Sequence, residues 1–241
     1  MLGAMTRPRK RGAPEGEKPF WISYADLMTA MMTLFLAAMA VTMVAITREV
    51  QKEKNLEVVR ADEIREICGG LQATFASHPF INVDCTDNRI SFGEAGRFGH
   101  NDYRLSEAAA KSLAQLVPVI LQAADGELGR KWFKQVVIEG FTDTDGSYLY
   151  NLDLSLKRSE WVMCMLLDPR RNSDLQLSEA QLQRVRDLFL AGGVSFNNAK
   201  QSKDASRRVE LRLQFYGQDE RDAGISRPSF HSPDDDRCML Q

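Results

Sequence analysis

From Trp21 to Thr47 the chain is almost continuously apolar, and Leu27 to Ile46 holds no charged residue over 20 positions. As a helix, such a run is ~30 Å long and matches the hydrocarbon core of a bilayer. Residues 21–47 are therefore predicted to cross a membrane once. A cleaved signal peptide shares the basic start, the apolar core and the small triplet Ala38-Met39-Ala40. The apolar run continues through Val41 to Ile46, beyond a cut at Ala40, and holds an aspartate near its start. Its length reads as an anchor.

The flanks change character abruptly. Residues 1–20 are rich in Pro, Gly and charge without apolar periodicity and read as a disordered tail. Residues 48–67 are over half charged, with both signs interleaved and no Pro or Gly, which suits a solvated helical stalk. Tail and stalk each carry five Lys/Arg, so number alone does not orient the span. Clustering does: Arg7, Arg9, Lys10 and Arg11 stand together without acids, which places the N-terminus in the cytoplasm.

Beyond Cys68 the pattern is globular. Residues 81–92 alternate as a strand or hairpin, and residues 106–123 show helical periodicity behind a Ser106 N-cap. Lys134 to Phe141 reads as a β-branched strand, followed by a loop and a helix from about Asp153 to Leu167. Residues 178–190 read as a helix capped by Ser178 and stopped by Gly192-Gly193. Arg207 to Phe215 alternates as a strand with one buried face. The order is β-α-β-α-α-β, an α+β domain over residues 68–217, with a polar tail at 218–241 expected to be disordered.

Composition narrows the function. Lys+Arg 31 against Asp+Glu 33 gives a net charge of −2, so no basic field suggests a nucleic-acid partner. Four cysteines form no CxxC pair and stand beside no histidine ladder, which argues against a metal site. All four fall beyond the span, in an oxidising compartment under the orientation above. Cys68 ends the stalk and Cys85 lies in the first strand region, so their bridge would close a loop of 17 positions. Such a loop stabilises by ~3 kcal/mol in the chain-entropy model, and a bridge between two copies of the chain is the competing reading. Cys164 sits among Met163, Met165 and Leu166 and is expected to stay buried and reduced, with Cys238 in the mobile tail.

Asp26 is the charged group at the start of the span. An ionisable side chain there is costly, up to ~2.5 to 3.5 kcal/mol at a helix centre. A carboxylate reaching the headgroups is one reading of it. Its surroundings favour another, because Thr29, Ala30, Thr33, Ala37, Ala40 and Val44 share its face at helical spacing and are all small. Small stripes pack helices closely in lipid, so Asp26 on that face meets protein or a water path. There a low dielectric disfavours a fixed charge and lets a proton bind and leave.

The run Trp21-Ile22-Ser23-Tyr24-Ala25-Asp26-Leu27-Met28-Thr29-Ala30-Met31-Met32-Thr33-Leu34-Phe35 resembles the signature of the flagellar stator B subunits. The resemblance implies a homodimer of such helices inside a ring of multi-span A-type subunits, with Asp26 relaying ions, and it favours the proton over sodium. The charged segment after Thr47 does not resemble the amphipathic plug of the flagellar proteins. The first forty residues, including GEKPFWISYADLMTAMMTLFLAAMAVTM, are similar to the B subunits of the Zorya antiphage defence system. That family is preferred, with the flagellar stators second.

A further constellation is Gly140-Phe141-Thr142-Asp143-Thr144-Asp145-Gly146, then Asn151, then Leu154-Ser155-Leu156-Lys157-Arg158-Ser159. Strand end and helix face can converge on a pocket with a carboxylate and a guanidinium, suited to a zwitterion. The rival is a structural Asp-Arg ion pair. The spacing resembles the OmpA-like peptidoglycan-binding domains. By that resemblance Asp143 and Arg158 would bind the diaminopimelate of the peptide stem, with Thr142, Asn151 and Leu154 shaping the pocket. Phe141 and Ser206 depart from the family pattern, and neither is expected to touch the ligand pair. The expected whole is a single-pass inner-membrane protein with a periplasmic domain, peptidoglycan as partner, and no cofactor beyond the transported ion. The competing classes are an envelope anchor that only tethers and an enzyme. For the enzyme, Ser155 and the histidines His78, His100 and His231 show no triad spacing.

Overall fold

The computed structural model describes residues 20–168, 170–222 and 237–240, with side chains from residue 24 onward. Two compact units divide at Asn55 and Leu56. Helix α1 (Phe20–Thr74) carries the chain through both. In the first unit every side chain from Tyr24 to Asn55 is exposed, large apolar ones such as Leu34, Phe35 and Met43 among them. The threonine hydroxyls do not dangle: Thr29 donates to the Asp26 carbonyl at 2.8 Å, Thr33 to Ala30 at 2.9 Å, and Thr47 to Met43 at 2.7 Å. Bonds back to the preceding turn satisfy hydroxyls that lipid could not.

The expected stalk over 48–67 ends earlier than its charge suggests. Ile64, Ile67, Cys68, Leu71 and Phe75 are buried in the second unit, spaced as one helical stripe. Arg60 Nε donates to the Tyr216 carbonyl at 2.8 Å, and Glu63 accepts from Lys131 and from the Trp132 indole. The globular unit therefore begins near residue 56 rather than 68. The abundant charges between these positions hide so narrow an apolar stripe.

The second unit is α+β. Its elements are β1 (Asn82–Asp84), β2 (Arg89–Ser91), α2 (Glu107–Asp125), α3 (Glu127–Trp132), β3 (Phe133–Gly140) and α4 (Tyr148–Leu167). Then follow α5 (Glu179–Leu188), β4 (Phe189–Gly193), α6 (Lys203–Ser206), β5 (Val209–Phe215) and α7 (Gln218–Asp222). The sheet order is β1-β2-β5-β3-β4, with β4 parallel to β3 and the other pairs antiparallel. Ile90, Val136, Ile138 and Leu211 bury one sheet face against Leu113, Leu116, Ile120, Val162 and Val185. The opposite face carries Arg89 between Glu139, at 2.6 Å, and Glu210, at 3.0 Å. β5 thus buries Val209, Glu210 and Leu211 alike, where one buried face was expected.

Strand β4 departs from the expected helix to residue 190 with a glycine stop. Gly192 and Gly193 lie in the strand, paired to Glu139 and Gly140. The glycines serve close approach. A Cβ on Gly193 would lie 2.6 Å from Ser155 Oγ, and one on Gly140 only 2.0 Å from the Ser155 carbonyl oxygen. Both allow α4 to lie directly on the strand ends, which brings Arg158 beneath the loop after β3.

Two disulfides staple the unit. Cys68 pairs with Cys85, joining α1 to the residue after β1. Cys164 pairs with Cys238, which corrects the expectation of a reduced Cys164. A separation of 74 residues leaves no local signal of that bridge in the sequence. The expected disordered tail is likewise corrected where it is described. Gln218–Asp222 is helical, with Glu220 paired to Lys134 at 2.6 Å. Farther on, the Leu240 carbonyl accepts from Arg171 at 2.7 Å. The remainder of 218–241 lies outside the described residues, as does the expected tail at 1–20 except for Phe20, which begins α1.

Asp168 locks the C-terminal segment. It accepts from Arg170 Nε at 2.8 Å and Nη2 at 2.9 Å, and from the Cys238 N–H at 3.3 Å. The Arg170 hydrogen bond, outweighing burial, holds its carboxyl down at about 2, against an ordinary 3.8. A depressed folded value means the stabilisation is complete above the unfolded value and is lost as pH falls through the folded one. Asp168→Asn should lower the unfolding midpoint of the solubilised chain at neutral pH. The gap from wild type should close between about pH 4 and about pH 2.

Candidate functional site

In the second unit the loop after β3 is built from its own backbone bonds. Phe141 N–H donates to the Arg208 carbonyl at 2.9 Å and Thr142 N–H to that of Ser195 at 3.1 Å, which fixes the strand end. Asp143 Oδ1 accepts from the Asp145 N–H at 3.1 Å, and Gly146 turns the chain at φ +96°. Ser147 caps α4. Asn151 Nδ2 donates to the carbonyls of Asp145 at 2.8 Å and Ser147 at 3.2 Å, so the motif asparagine braces the loop from beneath.

Arg158 rises from α4 with no exposed surface. Its Nε donates to the Asp102 carbonyl at 2.8 Å, Nη1 to Phe141 at 2.6 Å and Nη2 to Gly99 at 3.3 Å. The guanidinium carbon lies 4.7 Å from the Phe98 ring centroid. Among the described residues its hydrogen bonds all go to carbonyls, and burial pushes its pKa down to about 10, against the opposing charge of Asp143. It remains a cation at neutral pH. A buried charge with no ion-pair partner among the described residues is costly, and a bound anion would offset that cost.

The expected Asp143–Arg158 pair is not an ion pair. Asp143 Oδ2 accepts instead from Arg207 Nη1 at 3.0 Å. Burial pushes the Asp143 carboxyl up, but the Arg207 hydrogen bond and the Asp145 N–H outweigh it and leave it lowered. Thr142, Asp143, Asn151, Leu154 and Arg158 nevertheless line one cleft, joined by His100, Asn101, Asp145, Tyr150 and Arg207. The cleft holds only about 10 Å³, room for about one water. Tyr150 Oη donates to Asn101 Oδ1 at 2.5 Å across it. Within it Thr142 Oγ1 is buried and has no hydrogen-bond partner among the described residues.

Phe141 was expected to stand clear of the ligand pair, yet its carbonyl accepts from Arg158. Any residue type supplies that carbonyl, so the departure from the family pattern leaves the contact intact. Ser206 accepts from Lys200 N–H at 2.8 Å and donates to the Ser202 carbonyl at 2.8 Å, pinning the loop ahead of Arg207. Donor atoms of His100, Asp143 and Asp145 lie within 4.8 Å of one another, a spacing that could hold a cation. Lys203 and Arg207 already neutralise the two carboxylates. Ser155 is fully buried, donating to the Leu152 carbonyl at 2.8 Å and accepting from Ser195 N–H at 3.1 Å. Its hydroxyl is a packing group.

In the first unit Asp26, Thr29, Ala30, Thr33 and Ala37 are all exposed along one helix. The helix is long and apolar enough to cross a membrane. An exposed apolar surface of this length belongs in lipid or against partner helices.

A family model described as membrane MotB of the proton-channel complex MotA/MotB matches residues 6–52. Among solved structures, a MotB-like protein from Desulfovibrio vulgaris shares 18% identity over 66% of this chain and 98% of its own, with a TM-score of 0.43. The type VI secretion cell wall anchor of Pseudomonas aeruginosa shares 19% over 61% of this chain and 96% of its own, with a TM-score of 0.36. A curated relative, Zorya protein ZorB of Escherichia coli, is 56% identical over 224 residues, 92% of this chain and 91% of the relative. With that identity over nearly the full length of both proteins, the chain belongs to the ZorB family.

Proposed function

We propose that this protein is the peptidoglycan-anchored B subunit of a proton-driven inner-membrane motor acting in antiphage defence. Its α1 span, as a homodimer, sits within a ring of ZorA-like multi-span subunits with the N-terminus in the cytoplasm, and Asp26 binds and releases the ion. Thr29, Ala30, Thr33 and Ala37 form the face along which helices pack. The periplasmic unit holds the complex to the wall. The single observation that carries the wall-binding reading is Arg158, fully buried and hydrogen-bonded among the described residues to carbonyls only, in the cleft it shares with the Thr142 hydroxyl, which has no hydrogen-bond partner there. The carboxylate of a stem peptide would supply the anion that the Arg158 side of the cleft lacks.

Thr142→Val tests this with little risk to the fold, because it exchanges an unsatisfied buried hydroxyl for a methyl of similar size. Sacculus co-sedimentation should weaken by roughly 3- to 10-fold, the worth of one hydrogen bond, while the unfolding midpoint stays level or rises. Full binding by Thr142→Val would show that the hydroxyl does not face the ligand.

A further inference from the structure

The sheet face turned away from the helical core carries polar side chains in register. Asn82, Ser91 and Glu210 stand side by side across β1, β2 and β5, while Val83, Ile90 and Leu211 alternate with them into the core. Segment 198–202 borders this face: Arg208 Nη1 donates to the Asn198 carbonyl at 3.3 Å, and Lys200 N–H donates to Ser206 Oγ at 2.8 Å. Two cavities of about 570 and 510 Å³ lie along it, and they share Ser91, Lys200, Arg208 and Glu210 as one furrow.

The furrow's charges are largely spent on one another. Glu210 accepts from Arg208 Nε at 2.6 Å and from Arg89 at 3.0 Å, and Arg97 pairs with Asp204 at 3.0 Å. Lys200 has its opposite in Asp87 on the same wall. Among the described residues the carboxamides of Asn82, Asn198 and Gln201 have no hydrogen-bond partner, and neither has Arg208 Nη2. Arg208 is only 8% exposed, and its guanidinium carbon lies 4.1 Å from the Phe141 ring centroid, so that donor is held in a fixed plane. At its Arg97 end the furrow adjoins the stem-peptide cleft, because one carboxylate, Asp204, accepts from Arg97 and, at 2.9 Å, from the cleft's Arg207.

We infer that this furrow takes the glycan strand of the wall, an inference that rests on the peptidoglycan reading. A strand whose lactyl groups are amide-linked to stem peptides carries no charge there and presents hydroxyl and acetamide groups. Carboxamides donate and accept from one planar group and match such a surface, and paired charges neither draw nor repel it. A stem of three extended residues spans about 10 Å, so the sugar at its head lies one short stem away from the cleft. The stem peptide and the glycan are then read on opposite sides of segment 200–207, with Asp204 joining the two sites.

The test uses the full chain in detergent micelles and two soluble probes. One is an N-acetylated stem tripeptide ending in meso-diaminopimelate, and the other is the same tripeptide carried on its disaccharide. Wild type should bind the disaccharide probe about 10-fold more tightly, on the order of one to two net hydrogen bonds. That advantage should persist in about 1 M salt, where charge interactions beyond about 3 Å are screened. A double variant, Asn198→Ala with Gln201→Ala, changes two exposed side chains and should lose the advantage while binding the bare tripeptide as wild type does. Equal binding of the two probes by wild type overturns the inference, as does an advantage that the double variant keeps. An advantage abolished by salt overturns the uncharged glycan in favour of an anion held by Lys200. Failure of wild type to bind either probe or sacculi removes the peptidoglycan reading itself, and this inference with it.

Discussion

Asp26→Asn is expected to abolish phage protection completely while the protein still inserts and assembles with its ring partner. Asparagine keeps the volume and removes the titrating group, so a role in packing survives the change and a role in ion relay does not. Insertion should be no worse, because a charged carboxylate at the start of an apolar span is the costlier state. Plating efficiency of phage on cells carrying each variant reads the activity, and membrane fractionation with co-purification of the A-type subunit reads assembly. Protection at the wild-type level would sink the ion-relay role and leave a span that only tethers. Loss of protection with intact assembly is the result that an envelope anchor cannot produce.

The second large effect is expected at Arg158. Arg158→Lys keeps a cation at the site but loses the planar fork, and it can satisfy fewer of the Gly99, Phe141 and Asp102 carbonyls that the guanidinium now bridges. Truncating one side of a desolvated charge contact costs about 2–5 kcal/mol, so sacculus binding should fall on the order of 100-fold or more. Arg158→Ala should eliminate binding but also strand three carbonyls, so its unfolding midpoint must be measured beside it. Arg158→Lys with a folded domain and unchanged sacculus binding would mean that the arginine is only a brace for the Gly99–Asp102 loop. Asp143→Ala is expected to act through the loop, because Asp143 is tied to Arg207 and to the Asp145 N–H.

Several features were legible in the residues themselves because they depend on local pattern. A charge-free apolar run of 20 positions makes a helix long enough to cross a membrane. Ser106 and Ser178 announce helix starts through a side chain that caps its own turn. The Thr142 to Arg158 motif brings five residues to one cleft because strand end, turn and helix are consecutive in the chain. Spacing along one helix also sets Asp26 among small neighbours. What the pattern could not carry are partners set by packing between distant segments. Strand β4 has glycines where a helix stop was expected, and their function appears only when α4 presses on them. Arg207 reaches Asp143, Lys203 reaches Asp145 and the 99–102 loop embraces Arg158, all across 50 or more residues of intervening chain. The apolar stripe from Ile64 to Phe75 was masked by the charges around it, since burial is decided by the surface it meets. Cys164 found Cys238 for the same reason: a bond across 74 residues depends on where Asp168 and Arg171 hold the returning chain, and no spacing in the sequence encodes that meeting.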